Sequence, residues 1–393
     1  MVASAHDQYQ GGSCVAPELT TRFGAWFSSG ANVRPNSVAR IYPGIQDFPV
    51  GGIRLQLQRA GGPRTGWKMS VRNGAGRLLA LFDAADFDAT SGSLWTGRLV
   101  AGEVYLELIS PDQTVRVKVV QGIAAPAENN NQPQLYSLQD GSSPKWKFAF
   151  EAGSVDDDLQ LKLADTVGMM HTASERAGGG VGMTRKSWCC SGVMIASDLY
   201  LTNDHCGGMP IAGSENWDQA QCDATLIDLG WEQDGIPRQF ACRKVEAHDS
   251  RLDFAIIRLT PVAGSEAGRG GSRAAPTATG LVSLNQPLFM IHHASCQFKR
   301  ISQPCAATAR RRAWTDGASA TDRPEFEHTC DSEPGASGAP IFDGAGQLVG
   351  LHHLGFETCG GVSDRRNKAV GIAAIRAKVV DSNKALAREL GWN

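Results

Sequence analysis

Three short segments set residues capable of covalent chemistry beside strand-forming patterns: Leu201-Thr-Asn-Asp-His205-Cys206, Leu252-Asp253-Phe-Ala-Ile-Ile-Arg-Leu259 and Glu333-Pro-Gly-Ala-Ser337-Gly-Ala-Pro340. A serine hydroxyl is a poor nucleophile at neutral pH and needs a base to take its proton. The base in turn needs a carboxylate to fix its tautomer and to stabilise the imidazolium that forms. His205, Asp253 and Ser337 supply these three groups. In the tight turn around Ser337, the backbone N–H groups of Gly335 and Ser337 can converge on a developing oxyanion, and a side chain at position 335 would obstruct the approach. Taken singly, each segment has a plain structural reading: a histidine beside a disulfide, a capping aspartate, a glycine turn. Their combination is what points to acyl transfer.

The elements that must position them are strands. Ile53, Leu55 and Leu57 alternate with Arg54, Gln56 and Gln58, the period of a half-buried strand. Val104, Leu106 and Leu108 repeat the pattern, as do Val115, Val117 and Val119, and Asn73-Gly74 marks a hairpin. Residues 1–121 therefore read as a small β-rich sandwich, either a permanent accessory module or a propeptide that masks the cleft and is removed. Residues 122–164, with the breaker-rich run Ala124 to Pro133, read as a linker and lead-in. Residues 165–393 carry every chemical motif. Near the end, Ser382 can cap a short helix with Leu386 and Leu390 on one face.

The order His, Asp, Ser is that of the chymotrypsin arrangement. The region from about 187 to 380 resembles trypsin-like serine proteases, in particular the bacterial branch of lysyl and glutamyl endopeptidases. The resemblance rests on Cys190-Ser-Gly-Val-Met-Ile followed by the His205-Cys206 segment, on the Asp253 strand, on Met290 to Ser302, and above all on Cys330 to Gly355. It implies an all-β, chymotrypsin-like double β-barrel with a C-terminal helix, preceded here by the sandwich. It implies acyl-enzyme hydrolysis of peptide bonds in protein or peptide substrates, with His205, Asp253 and Ser337 as triad and Gly335 and Ser337 as oxyanion hole. Cys190 and Cys206 would be the family's bridging pair. Ala336 stands where animal trypsins carry an aspartate that pairs with a newly cut N-terminus, so that activation route is absent. Asn203-Asp204 stands where Ala-Ala is commoner, and is tolerable if one of the two faces solvent. The alternatives are an inactive barrel used only for binding, and an α/β-hydrolase esterase, which Ala339 and the chain order disfavour.

For substrate selection the resemblance implies two pockets. Asp331, six residues before Ser337, has the spacing of a carboxylate that pairs Lys or Arg at P1, and Asp364 lies where lysyl endopeptidases draw theirs. His352, assisted by Ser332, has the spacing of the histidine with which glutamyl endopeptidases hold a P1 carboxylate, and Gly355 ends that strand. His353 matches a histidine that lysyl endopeptidases place beside the triad. His352 and His353 alternate faces, so one lines the pocket and the other is a hydrogen-bonded structural histidine. Basic P1 is the expectation, with Glu as the rival.

Ten cysteines suggest disulfides and a secreted or periplasmic home. Cys305 with Cys330, and Cys222 with Cys242, are further candidate pairs, while Cys14, Cys189, Cys296 and Cys359 cannot be assigned from spacing. The N-terminus lacks the basic and apolar regions of a signal peptide. A formal net charge of −2 gives no reason to expect nucleic acid, and no apolar run reaches bilayer length. No metal or other cofactor is implied: His292 and His293 read as core or hairpin residues, and Arg310-Arg-Arg312 as a solvated loop. The oligomeric state is not readable.

Overall fold

The computed structural model describes residues 14–15, 21–88, 92–126, 145–149, 158–177, 183–208, 217–232, 237–262, 273–311, 325–355, 357–359, 362–364 and 367–392. The alternating segments form two stacked sheets. One orders Ala25–Ser28, Arg116–Pro126, Val50–Gly61 and Ser93–Trp95; the other orders Val38–Ile41, Val104–Ile109, Lys68–Asn73 and Leu78–Asp83. Ile53, Leu55, Leu57, Met69, Val71, Leu106 and Val117 meet in their shared core. Asn73 closes the hairpin by accepting the N–H groups of Ala75 and Arg77 on its Oδ1.

Three expectations shift here. The strand that was to end at 121 runs on to Pro126, because Ile123, Ala124 and Ala125 are buried and the pairing continues along Gly52 and Ile53. The stretch 122–164 also contributes structure, with Trp146–Phe148 paired to Arg300–Ser302 and a helix at Asp158–Ala164; residues 127–144 lie outside the described residues. At the other end, Thr21 and Arg22 pair not with the sandwich but with Cys189 and Trp188, and Cys14 stands opposite Cys359.

The remainder forms two closed six-stranded barrels in a chymotrypsin-like fold. The first runs through Val167–Ala177, Leu226–Asp228, Gln239–Asp249, Phe254–Pro261, Leu199–Thr202 and Met183–Met194, which closes on Val167–Ala177. The second runs through Arg300–Arg311, Pro287–His292, Pro340–Asp343, Leu348–Leu354, Asn367–Gly371 and Glu325–His328, which closes on Arg300–Arg311. That closure explains why Arg310 and Arg311 are not in a loop: they extend the strand opposite Phe326 and Glu325. Arg312 lies outside the described residues.

Between the barrels a shared core gathers Val193, Phe254 and Ile256 from the first with Phe289, Phe342 and Leu348 from the second. The C-terminal helices Ile372–Ser382 and Lys384–Glu389 seal it with Ile375, Val379, Leu386 and Trp392. Ser382 ends the first of these helices and does not cap the second; its hydroxyl donates to Lys378 O, and Asn383 Oδ1 accepts the Leu386 N–H. No helix among the described residues is long and apolar enough to cross a membrane.

Candidate active site

Asp253 heads the strand Phe254–Pro261 in a left-handed backbone conformation, φ +49°. A non-glycine residue held there is over-determined by its surroundings. Its carbonyl accepts the Asn203 side-chain N–H at 2.8 Å. Its Oδ1 accepts the His205 backbone N–H at 2.9 Å, and its Oδ2 lies 2.7 Å from His205 Nδ1. An ionised carboxylate only accepts, so Nδ1 carries the proton and Nε2 presents a lone pair. That Nε2 is buried with no hydrogen-bond partner. Burial pushes the Asp253 carboxyl up, but the charges and hydrogen bonds of His205 and then His353 outweigh it and hold it well below the usual range.

His205 opens a single 3-10 turn, His205–Gly207, fixed by the Cys190–Cys206 disulfide and by the Trp188 indole N–H, which donates to Cys206 O at 3.0 Å. Neither neighbour faces solvent. Asn203 and Asp204 are both buried: Asn203 holds the Asp253 carbonyl, and Asp204 Oδ1 sits 2.9 Å from His248 Nδ1. These partners, Asp253 and His248, lie 50 and 44 residues further along the chain, which is why local sequence did not reveal them.

Ser337 sits at the barrel junction, where its carbonyl accepts the Ser191 N–H at 2.7 Å. Gly338 follows at φ +82°; a Cβ there would lie 2.2 Å from Ser191 O, so only glycine lets the Ser337 turn approach the first barrel. The Gly338 N–H donates to His352 O at 2.8 Å, tying the turn to Leu348–Leu354. Gly335 is left-handed as well, φ +100°.

His352 and His353 point to opposite sides of their strand. His353 Nδ1 lies 3.3 Å from Asp253 Oδ2, and its Nε2 lies 3.3 Å from Glu325 Oε1. Burial alone would depress His353, but the two carboxylates overcome it and push the imidazole up to about 9. This histidine is therefore cationic at neutral pH, unlike His352 and His328, which share a 3.1 Å contact and are both depressed by burial. A folded-state value above the ordinary 6.5 means that His353 contributes stability fully below about pH 6.5 and loses it as pH rises through about 9. Its size is on the order of 3 kcal/mol. In a Ser337→Ala background, which avoids self-digestion, the urea midpoint is expected to fall between pH 7 and pH 10. His353→Gln is expected to flatten that fall; an equally steep fall in the variant would remove His353 as its source.

The remaining selection candidates separate. Asp331 is half-buried and its Oδ2 accepts the Lys145 backbone N–H at 2.6 Å. Ser332 is buried, with Oγ 3.1 Å from Asn367 Oδ1, and Asn367 donates to Cys330 O. Gly355 follows the strand of His352, and the side chain of Asp364 lies outside the described residues. Asn367, Glu325, His328 and Ser191 escaped the sequence reading. Only strand register brings them to the site, and register between distant strands has no local signature.

Disulfides join Cys190 to Cys206, Cys222 to Cys242, Cys305 to Cys330, and Cys189 to Cys296. Among the described residues, Cys190, His205 and Cys206 are the one close group of metal-ligating types. Two of the three are bonded to each other, so their sulfurs are not thiolate ligands.

Residues 190–351 match the family model of the trypsin-like peptidase domain. With the double barrel, this match defines a serine peptidase, a hydrolase of peptide bonds. No curated protein matches the sequence. Among solved structures, the chain is similar to an inactive mutant form of Rv3671c from M. tuberculosis H37Rv, at 13% identity and TM-score 0.38, covering 61% of this chain and 96% of that one. The active form of the Rv3671c protease gives 13% identity and TM-score 0.39, covering 57% of this chain and 84% of that one.

Proposed function

We propose that the chain is an endopeptidase in which Ser337 attacks the scissile carbonyl, His205 Nε2 takes the hydroxyl proton and later returns it to the leaving amine, and Asp253 orients the imidazole. The Gly335 and Ser337 N–H groups receive the oxyanion. The observation that carries this reading is the buried Asp253–His205 pair, with Nδ1 engaged at 2.7 Å and Nε2 left open.

For P1 we favour Glu over the Lys/Arg preference that the position of Asp331 led us to expect. The Asp331 carboxylate already accepts the Lys145 backbone N–H, whereas Ser332, Asn367 and the His352–His328 pair make a hydrogen-bonding set without a carboxylate. Burial keeps those histidines neutral in the free enzyme, and an incoming P1 carboxylate would favour proton uptake by the pair.

We read the sandwich, about residues 25–126, as a permanent module and not a discarded propeptide. Arg54 lies on a sandwich strand yet is buried, because its face is covered by the first barrel. Its Nη1 donates at 2.9 Å to Ala224 O, the C-cap carbonyl of the helix Gln219–Asp223. Arg98 stacks 3.8 Å from the Trp231 ring centroid and lies 3.6 Å from Asp228 Oδ2. Removing the sandwich would leave Asp228, 2% exposed, without that cation and would uncover Trp231.

One digestion tests these readings. A peptide library varied at P1 is incubated with the full chain, the products are identified by mass spectrometry, and the enzyme's own intact mass is followed. Cleavage after Glu is expected to exceed that after Lys or Arg by at least about tenfold, with the full-length chain persisting. Dominant cleavage after Lys or Arg would overturn the P1 reading, loss of the sandwich from the active species would overturn the module reading, and no cleavage at all would favour a binding-only barrel.

A further inference from the structure

Ala336, the residue before the nucleophile, has no charge with which to anchor the oxyanion turn from inside, so something else must hold Pro334 and Gly335. The structure assigns that role to a latch between the barrels: the Cys189–Cys296 disulfide and Ser191, acting through the turn Ser295–Cys296. This inference rests on the reading of Gly335 and Ser337 as oxyanion donors.

Cys189 is embedded in Met183–Met194, paired on one side with His171 and on the other with Thr21. It is fully buried and bonded to Cys296, which lies 107 residues away on the second barrel. Ser295 and Cys296 are consecutive non-glycine residues in the left-handed region, φ +53° and +58°. Such a pair is strained and persists only where its surroundings impose it. Here the disulfide imposes it, together with the Trp231 indole N–H, which donates to Cys296 O at 3.1 Å.

The strained turn is spent on the oxyanion segment. The Ser295 N–H donates to Pro334 O at 2.7 Å, and the Ser295 hydroxyl donates to Glu333 Oε2 at 2.7 Å. Gly335 packs so closely that a Cβ would lie 3.1 Å from both Ser295 N and Cys296 N. Ser191, two residues after Cys189, completes the latch: its hydroxyl donates to Gly335 O at 2.9 Å and accepts the His293 N–H at 2.9 Å. Cys190, between them, bonds the neighbour of His205. The tripeptide Cys189-Cys190-Ser191 thus fixes the base loop and the oxyanion turn from one rigid strand. These are positioning residues, since none of them meets the reacting atoms.

The test is the Cys189→Ala/Cys296→Ala double variant of the full chain, with the other described disulfides intact. Two inhibitors of one cleavable sequence are compared: a peptide aldehyde, whose tetrahedral adduct needs the oxyanion hole, and the reduced-bond peptide, which has no scissile carbonyl. The expected result is a fall in kcat and in aldehyde affinity of about 10- to 100-fold, with reduced-bond affinity unchanged within twofold. Equal losses for both ligands, or no loss for either, would overturn the latch. If the double variant does not fold, Ser295→Ala keeps the bond and removes only the hydroxyl to Glu333; the same selective loss, smaller in size, is expected, and its absence would overturn the inference. Fluorophosphonate labelling of the unmodified chain is run alongside. An unlabelled Ser337 there would sink the peptidase reading, whereas a labelled wild type with an unaffected variant would sink the latch alone.

Discussion

Ser337→Ala is expected to lower kcat by about 10⁶-fold, with little change in KM and none in the folded structure. The hydroxyl is the only atom removed, and the described contacts of residue 337 that orient the turn are made by its backbone, through the Ser191 N–H to its carbonyl. His205→Ala is expected to cost about as much, because a hydroxyl without a base and a base without a hydroxyl fail at the same step. The double variant should therefore be hardly worse than either single one. Initial rates with the best library peptide measure all three; multiplying losses in the double variant would mean that the residues act independently, which the triad reading forbids.

Legibility divided along a physical line. The proposed triad residues stood out because each sits beside a local pattern: an apolar strand after Asp253, a glycine turn around Ser337, and a cysteine after His205. The sandwich could be read from period-two alternation, and the barrels from the resemblance carried by the motifs. What could not be read depended on register between distant segments. Arg54 fits the polar phase of its strand, yet it is buried because the first barrel covers that face. Asn203 and Asp204 look surplus beside His205, until Asp253 and His248 arrive to hold them. The partner of Cys189 lies 107 residues away, and no spacing rule reaches so far. Asp331 has the right spacing for a pocket carboxylate, but spacing says nothing of side-chain direction, and the strand Trp146–Phe148 that follows its partner Lys145 came from a stretch that read as a linker.

Gly335→Ala is expected to lower kcat by about 10²- to 10³-fold, while KM changes by less than about threefold. Two costs combine at this position. With φ at +100° any side chain is strained, and the new Cβ would lie 2.9 Å from His293 O and 3.1 Å from Ser295 N and Cys296 N. All three atoms are backbone, in a turn bonded through Cys296 to the first barrel, so the neighbour cannot yield and the Pro334–Gly335 segment must move instead. Its N–H then leaves the point where the oxyanion forms, which raises the barrier without touching the pocket that binds the substrate. Gly344→Ala is the matched control, since a Cβ there meets nothing within 4 Å, and its kcat should stay within about twofold. Equal losses in the two alanine variants would point to general destabilisation, and a Gly335→Ala loss confined to KM would place residue 335 in substrate binding and not in oxyanion stabilisation.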